Sequence, residues 1–351
     1  MAFTSYGVNA PEAVKLWSET LFEEALKATW FDKFIGDSDS SIIQRKSNFK
    51  KNAGDRLTVT LRMQLTGDGV LGDATLEGNE EALTTYTDNL LIDQLRHAVR
   101  SGGKMTEHRI PWSIREEAKD GLRDWWANRF DTVMFNQLAG VTYVTDARYT
   151  GNNAIIAPAA TRIYRPNARA NDQSLTTGDE MNLQLIDVLV AQAKTATPVF
   201  RPINWKGKQY YALVLHPFQV QQLRTNTSTG QWLDIQKAAM TGGMISDNPI
   251  FTGALGVYNG VVLFEDVRVP QGVNSSTGAA VANTRRAVFL GAQAGILGFG
   301  KGMGESSMDW NEELFDYGNQ LGVSAGSIFG FKKTVFNSLD FATYVLATYT
   351  L

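Results

Sequence analysis

Gly322-Val323-Ser324-Ala325-Gly326 has the G-x-S-x-G spacing that sets a serine hydroxyl on a sharp turn for attack on a carbonyl carbon. A serine used in that way needs a carboxylate and then a histidine later in the chain, and the last histidine here is His216. Gly295 to Lys301 spells the first part of a phosphate-cradling loop behind the strand-like run Ala287 to Leu290. The next residue is Gly302, where a hydroxyl would have to hold magnesium, and Met303 to Ser307 does not open an amphipathic helix. A glycine-rich crossing of the chain is the simpler expectation. His97, His108 and His216 show no metal-site spacing, and without cysteine there is no thiolate nucleophile, sulfur ligand or disulfide. The pairs Glu80/Glu81, Glu116/Glu117 and Glu312/Glu313 stand in polar, wet contexts that would not raise a pKa for acid catalysis. No catalytic, cofactor or metal set is therefore expected, and a hydrolase using Ser324 stands only as the alternative from the enzyme class.

The totals exclude other classes. With 351 residues, 43% of them hydrophobic and 20% charged, the chain can bury a sizeable core in two or three substructures. A net charge of −3 gives no global pull toward nucleic acid or an anionic membrane, so any polyanion contact must be local. The row Arg115/Lys119/Arg123 and the cluster Arg162, Arg165 and Arg169 are the two candidates, with solvated faces as the plainer expectation. The start, Met1 to Tyr6, lacks the basic and apolar blocks of a signal peptide. The most apolar window, Ala287 to Gly300, is too short and glycine-broken to span a bilayer, so cytosolic synthesis is expected.

What the sequence does contain is long elements. Between Pro111 and Gly140 runs a proline-free stretch of about 26 residues, roughly 40 Å of helix at 1.5 Å per residue. Ser113 and Glu116 form a candidate capping box at its start. Its first half carries a narrow apolar stripe (Ile114, Ala118, Leu122, Trp125) and its second half a broader one from Trp126 to Leu138, so one end should be wet and the other wrapped. Ahead of it, Leu57, Val59, Leu61, Met63 and Leu65 alternate with polar residues as a strand with one apolar face. Gly67 to Asn79 makes a flexible tip and Leu90 to Arg100 offers a return strand. A two-stranded hairpin of that length cannot stand alone in water. Charge is sorted along it: Asp68, Asp73, Glu77, Glu80, Glu81, Asp88 and Asp93 follow one another without an intervening Lys or Arg, flanked on both sides by basic residues. An acidic tip meeting a basic base on a second copy would register an assembly. Residues 1 to 40 carry aromatic residues at helical spacing, including Trp17, Phe22 and Trp30, expected to pack at least in part on a neighbour.

The remainder reads as an α+β chain. Helices are expected over Asn182 to Ala196, Pro217 to Arg224 and Gln231 to Met240, and strands over Tyr210 to Leu215, Ala287 to Leu290 and Phe341 to Thr350. Asn259-Gly260 marks a hairpin turn, and Gln271 to Thr284 an exposed loop.

Taken together, this order resembles the major capsid protein of tailed bacteriophages. The likeness is carried most by Tyr210 to Pro217, Gly253 to Gly256 with Gly260-Val261, Phe289 to Ala294, Phe315-Asp316-Tyr317-Gly318-Asn319 and Gly330-Phe331-Lys332-Lys333, which look like a podovirus-type major capsid family. The resemblance implies an N-terminal arm (1–48), an extended β-hairpin E-loop (49–109), and a peripheral domain (110–180) with spine helix 113–139. A mixed α/β axial domain (181–325) and C-terminal strands returning to the peripheral domain (326–351) complete it. It further implies hexamers and pentamers around double-stranded DNA, with the E-loop over an adjacent subunit, and scaffolding, portal and decoration proteins as further partners. No cleaved N-terminal scaffolding segment is expected, and no membrane partner. Inter-subunit contacts are expected from Trp17, Phe22, Trp30, Arg56, Leu57, Val59, Leu61, Arg62, Glu77, Glu80 and Glu81. An encapsulin-like nanocompartment shell remains the alternative within the same fold.

Overall fold

The computed structural model describes residues 21, 24–46, 55–62, 65, 67–205, 208–226, 256–300 and 308–350. The expectations placed on Trp17, Phe22 and the helix Gln231 to Met240 lie outside the described residues, as do the side chains of Leu61 and Arg62.

The long helix spans Ile114–Ala139. Ser113 is extended and makes no side-chain cap, so the expected capping box does not form. Glu116 and Glu117 in the first turn instead complement the positive end of the helix. Gly140 closes it in the left-handed conformation (φ 63°, ψ 52°), which returns its N–H to the last turn. Burial follows the expected gradient. In the first three turns only Ala118 and Leu122 are buried; from Trp126 on, burial widens to include Phe130, Val133, Met134, Phe135 and Leu138.

Those side chains pack on a sheet ordered Ile35–Gly36, Ile43–Lys46, Gly295–Phe299, Gln320–Lys333, Met308–Phe315. Gln320–Lys333 is its axis, a strand of 14 residues, roughly 46 Å long at about 3.3 Å per residue. Phe329 meets Trp126 and Phe130 of the helix with ring centroids 6.0 and 5.1 Å apart. Gly322, Gly326 and Gly330 recur on the strand's other face. A side chain at Gly330 would lie 2.0 Å from the Leu91 carbonyl oxygen, so that backbone crosses where only glycine fits. The expected return strand is two strands. Thr85–Leu91 pairs with Arg56–Arg62 to make the hairpin, whereas Asp93–Arg100 pairs with Gln320–Lys333.

The second sheet runs Ile163–Tyr164, Thr343–Tyr349, Thr284–Leu290, Lys208–Leu215, Val261–Glu265, Gly256–Tyr258. Asn259 and Gly260 turn the last hairpin with φ of 46° and 75°, the left-handed pair that Asn-Gly accommodates. Helix Leu183–Thr195 is capped by Asn182, and Pro217–Thr225 by His216, whose Nδ1 accepts the Phe218 N–H. Two expectations change here. Of the expected C-terminal strands (326–351), the part up to Lys333 lies in the sheet beneath the long helix, whereas Thr343–Tyr349, buried on both faces, joins Thr284–Leu290 in this second sheet. Within the expected loop from Gln271 to Thr284, Gly272 and Val273 are buried and pair with Ala280–Val281.

Candidate assembly surface

The chemistry-bearing motifs resolve into packing. Ser324 lies inside the long strand with its Oγ donating to the Asn311 carbonyl, on extended backbone and not on an elbow. Gly295–Phe299 is a fully buried strand, and the ring of Phe331 passes where a side chain at Gly295 would sit. His97 stacks on Trp125 at 4.5 Å, and His216 is a helix cap whose pKa burial and Arg285 lower to about 4. No group of His, Asp and Glu among the described residues could hold a metal ion.

The suspected polyanion faces are spent inside the molecule. Arg115 pairs with Glu312 (2.7 Å), Lys119 with Glu24 (3.0 Å), and Arg123 with Asp120 and Asp124. Arg165 and Arg286 hold the two oxygens of Asp172, each at 2.7 Å, and Arg169 pairs with Asp179. Burial alone would raise the Asp172 pKa, but Arg286, the Val273 N–H and Arg165 outweigh it and keep that carboxyl below its usual range. Arg162 is buried against the rings of Phe200 and Tyr344. Glu312, expected to be wet, is buried between Arg115 and the Trp310 indole.

The hairpin remains outside. From residue 65 to 85 every described residue but Val70 is exposed. Its tip carries five carboxylates, Asp68, Asp73, Glu77, Glu80 and Glu81, and no basic residue. Asp88 does not belong to this acidic run: it is buried at the hairpin's root and ion-paired with Lys332. Two of the expected register residues brace the tip itself. Glu81 accepts the Gly67 N–H and Glu80 the Gly78 N–H, each at 2.7 Å. Glu77, Asp68 and Asp73 make no ion pair among the described residues. Leu57 and Val59 are half-buried and Arg56 is exposed; Leu61 and Arg62 pair in register with Tyr86 and Thr85.

Sequence reading missed the tip's leucines. Leu65, Leu71, Leu76 and Leu83 are all exposed, Leu71 at 91%. Leucine recurring in a Gly/Asp-rich stretch, at spacings no helix or strand of the chain could bury, was the available signal.

Trp30 packs for the most part on its own subunit. Its ring lies within 6 Å of Phe31, Phe34, Phe135 and Phe264, and Asp131 of the long helix accepts the N–H groups of Trp30 and Phe31 at 3.0 and 3.2 Å. Arg268 bridges Asp131 to Asp266, so three distant segments meet at one carboxylate. Burial raises the Asp131 pKa to about 6, against the pull of the two N–H groups and Arg268.

A braced acidic loop with unburied leucines thus stands out from a core whose charged clusters are paired internally. A family model described as phage capsid protein matches residues 5–349, and the chain belongs to that family. The major capsid protein of Pseudomonas phage KPP25 is 30% identical over 364 residues, covering 96% of this chain and 93% of the relative. The capsid of Ralstonia phage GP4 is 34% identical with a TM-score of 0.78, covering 100% of this chain and 99% of that one. The capsid of cyanophage Pam1 shares the fold at 20% identity, with a TM-score of 0.73 and 93% of each chain covered.

Proposed function

We propose that this chain is the wall subunit of an icosahedral phage head, joining as hexamers and pentamers around double-stranded DNA with each hairpin laid over an adjacent copy. The hairpin tip carries this reading, because a capsid-family chain that leaves four leucines in water at the end of an acidic loop has a use for them in a contact. Covering each would contribute about 1.5–3 kcal/mol, repeated at every copy of the interface. In this reading Asp68, Asp73 and Glu77 supply register toward basic residues of the neighbour such as Arg56 and Arg62, with Glu80 and Glu81 keeping the tip in shape. Trp17, Phe22 and the remaining exposed part of Trp30, with Leu57, Val59 and Leu61, add apolar area. The work is non-enzymatic and its place is the virion. Packaged DNA touches the inner face without sequence readout, and scaffolding, portal and decoration proteins complete the head.

Negative-stain microscopy of purified protein tests the reading. Closed shells are expected from the wild type; the double variant Leu71→Ser, Leu76→Ser should keep its circular dichroism and fail to close shells. A wild type that stays a lone particle at high concentration sinks the proposal. Normal shells from the leucine variant would remove the hairpin from it. Shells holding a protein cargo in place of DNA would transfer the fold to the nanocompartment alternative.

A further inference from the structure

The wet end of the long helix carries a second unburied surface, built from residues outside the hairpin. Helix Lys104–Arg109 buries none of its side chains. Met105 is 64% exposed and Trp112, in the link to the long helix, 58%. Across from them, the end of strand Met308–Phe315 exposes Leu314, and the turn that leads on to Gln320–Lys333 exposes Tyr317 fully. The two halves touch: the Lys104 N–H donates to Asn319 Oδ1 at 3.2 Å, and the Arg100 guanidinium lies 4.2 Å from the Phe315 ring. The turn is held rigid. Asp316, Tyr317 and Gly318 all have positive φ, and the Asn319 side chain donates back to Asp316 at 3.1 Å. A tyrosine kept fully in water on left-handed backbone is costly for the monomer, and such strain persists where the surrounding structure fixes it. An ordered aromatic side chain of this kind is the usual anchor of an interface.

The charges are divided between the halves. Lys104 and Arg109 are exposed on the helix side, Glu313 and Asp316 on the turn side, and none of the four forms an ion pair among the described residues. Glu107 bonds Ser101 at 3.0 Å, Arg115 and Glu312 bond each other, and Glu116 and Glu117 are exposed in the first turn of the long helix, where its positive end offsets their charge. The helix side therefore offers Met105, Trp112 and two cations without an ion pair among the described residues, and the turn side Leu314, Tyr317 and the carboxylate of Glu313, beside Asp316, whose carboxylate also accepts from Asn319. A polyanion or an anionic membrane would ask for one sign throughout.

We propose that this tip is a head-to-tail contact between copies of the chain, the helix side of one copy (Lys104, Met105, Arg109, Trp112) seated on the turn side of the next (Glu313, Leu314, Asp316, Tyr317). A contact of two different patches closes into a ring when its rotation closes. The inference rests on the shell reading and adds an interface separate from the hairpin.

A charge swap on the full-length protein, with shells counted by microscopy and folding followed by circular dichroism, tests it. Lys104→Glu with Arg109→Glu should lower shell yield at least tenfold, Glu313→Lys likewise, and all three together should restore it. Tyr317→Gly guards against misfolding as an explanation, since glycine suits that backbone: its melting temperature should hold or rise while shell yield falls. Wild-type yield from both half-swaps, or from Tyr317→Gly, overturns the inference. So does rescue of the helix-side variant by Asp68→Lys, Asp73→Lys and Glu77→Lys, which would assign this patch to the hairpin tip. A wild type that formed no shells would instead fail the underlying reading, before any swap was compared.

Discussion

Asp131 joins three segments through one carboxylate, and its environment sets a testable sign. Its folded pKa, about 6, lies above the unfolded value of 3.8, so the folded state holds the proton more tightly between those limits. This group's contribution to stability is therefore fully present below about pH 4 and lost as pH rises through 6. Asp131→Asn should flatten that part of the pH profile of the subunit's melting temperature; an unchanged slope between pH 4 and 6 would assign it elsewhere. Lys333 and Asp340 form a second buried pair at 2.6 Å, each at most 2% exposed. Removing one partner strands the other, so Asp340→Ala should cost about 3–5 kcal/mol in chemical denaturation, and Lys333→Met with Asp340→Leu distinctly less. Neither pair could be read from the sequence. Lys333 looked like any surface lysine, and what buries it is the packing of a strand whose neighbours are distant in the chain.

Among the elements, the long helix was legible because its signals are local: a stripe at helical period, Pro111 before it and Gly140 after it. Gly121, on its exposed face, has nothing within 4 Å of where a side chain would be. Gly121→Ala should raise stability by about 0.5–1 kcal/mol. Gly330→Ala should have the opposite outcome, a loss of soluble folded protein, since its new methyl group would meet the Leu91 carbonyl. Comparable gain from both would mean that the strand crossing is looser than described. The hairpin was half legible. Alternation located Arg56–Arg62, but Leu90 to Arg100 was read as its return because alternation does not say which strand is the partner. The chain uses Thr85–Leu91 for that and sends Asp93–Arg100 into the sheet under the long helix.

At the scale of the whole molecule, the hairpin tip and the wet end of the long helix both carry exposed charges that form no ion pair among the described residues. Exposed charges feel salt, and the Debye length falls from about 10 Å at 0.1 M to about 3 Å at 1 M. Shell nucleation followed by light scattering should therefore slow as salt rises, while shells already closed persist on their apolar contacts. Acceleration by salt would count against charge as the steering force. The sequence by itself determined the α+β class, the long helix, the Asn259-Gly260 hairpin and the missing histidine behind Ser324, since each depends on the period, order or count of residues along one chain. Only the tertiary structure decided which strands pair, which charges are consumed and which apolar side chains stay wet. Lys332 meets Asp88, and Arg115 meets Glu312, across most of the chain. A hydrophobic period reports which face of an element turns inward, and carries no information about what it finds there.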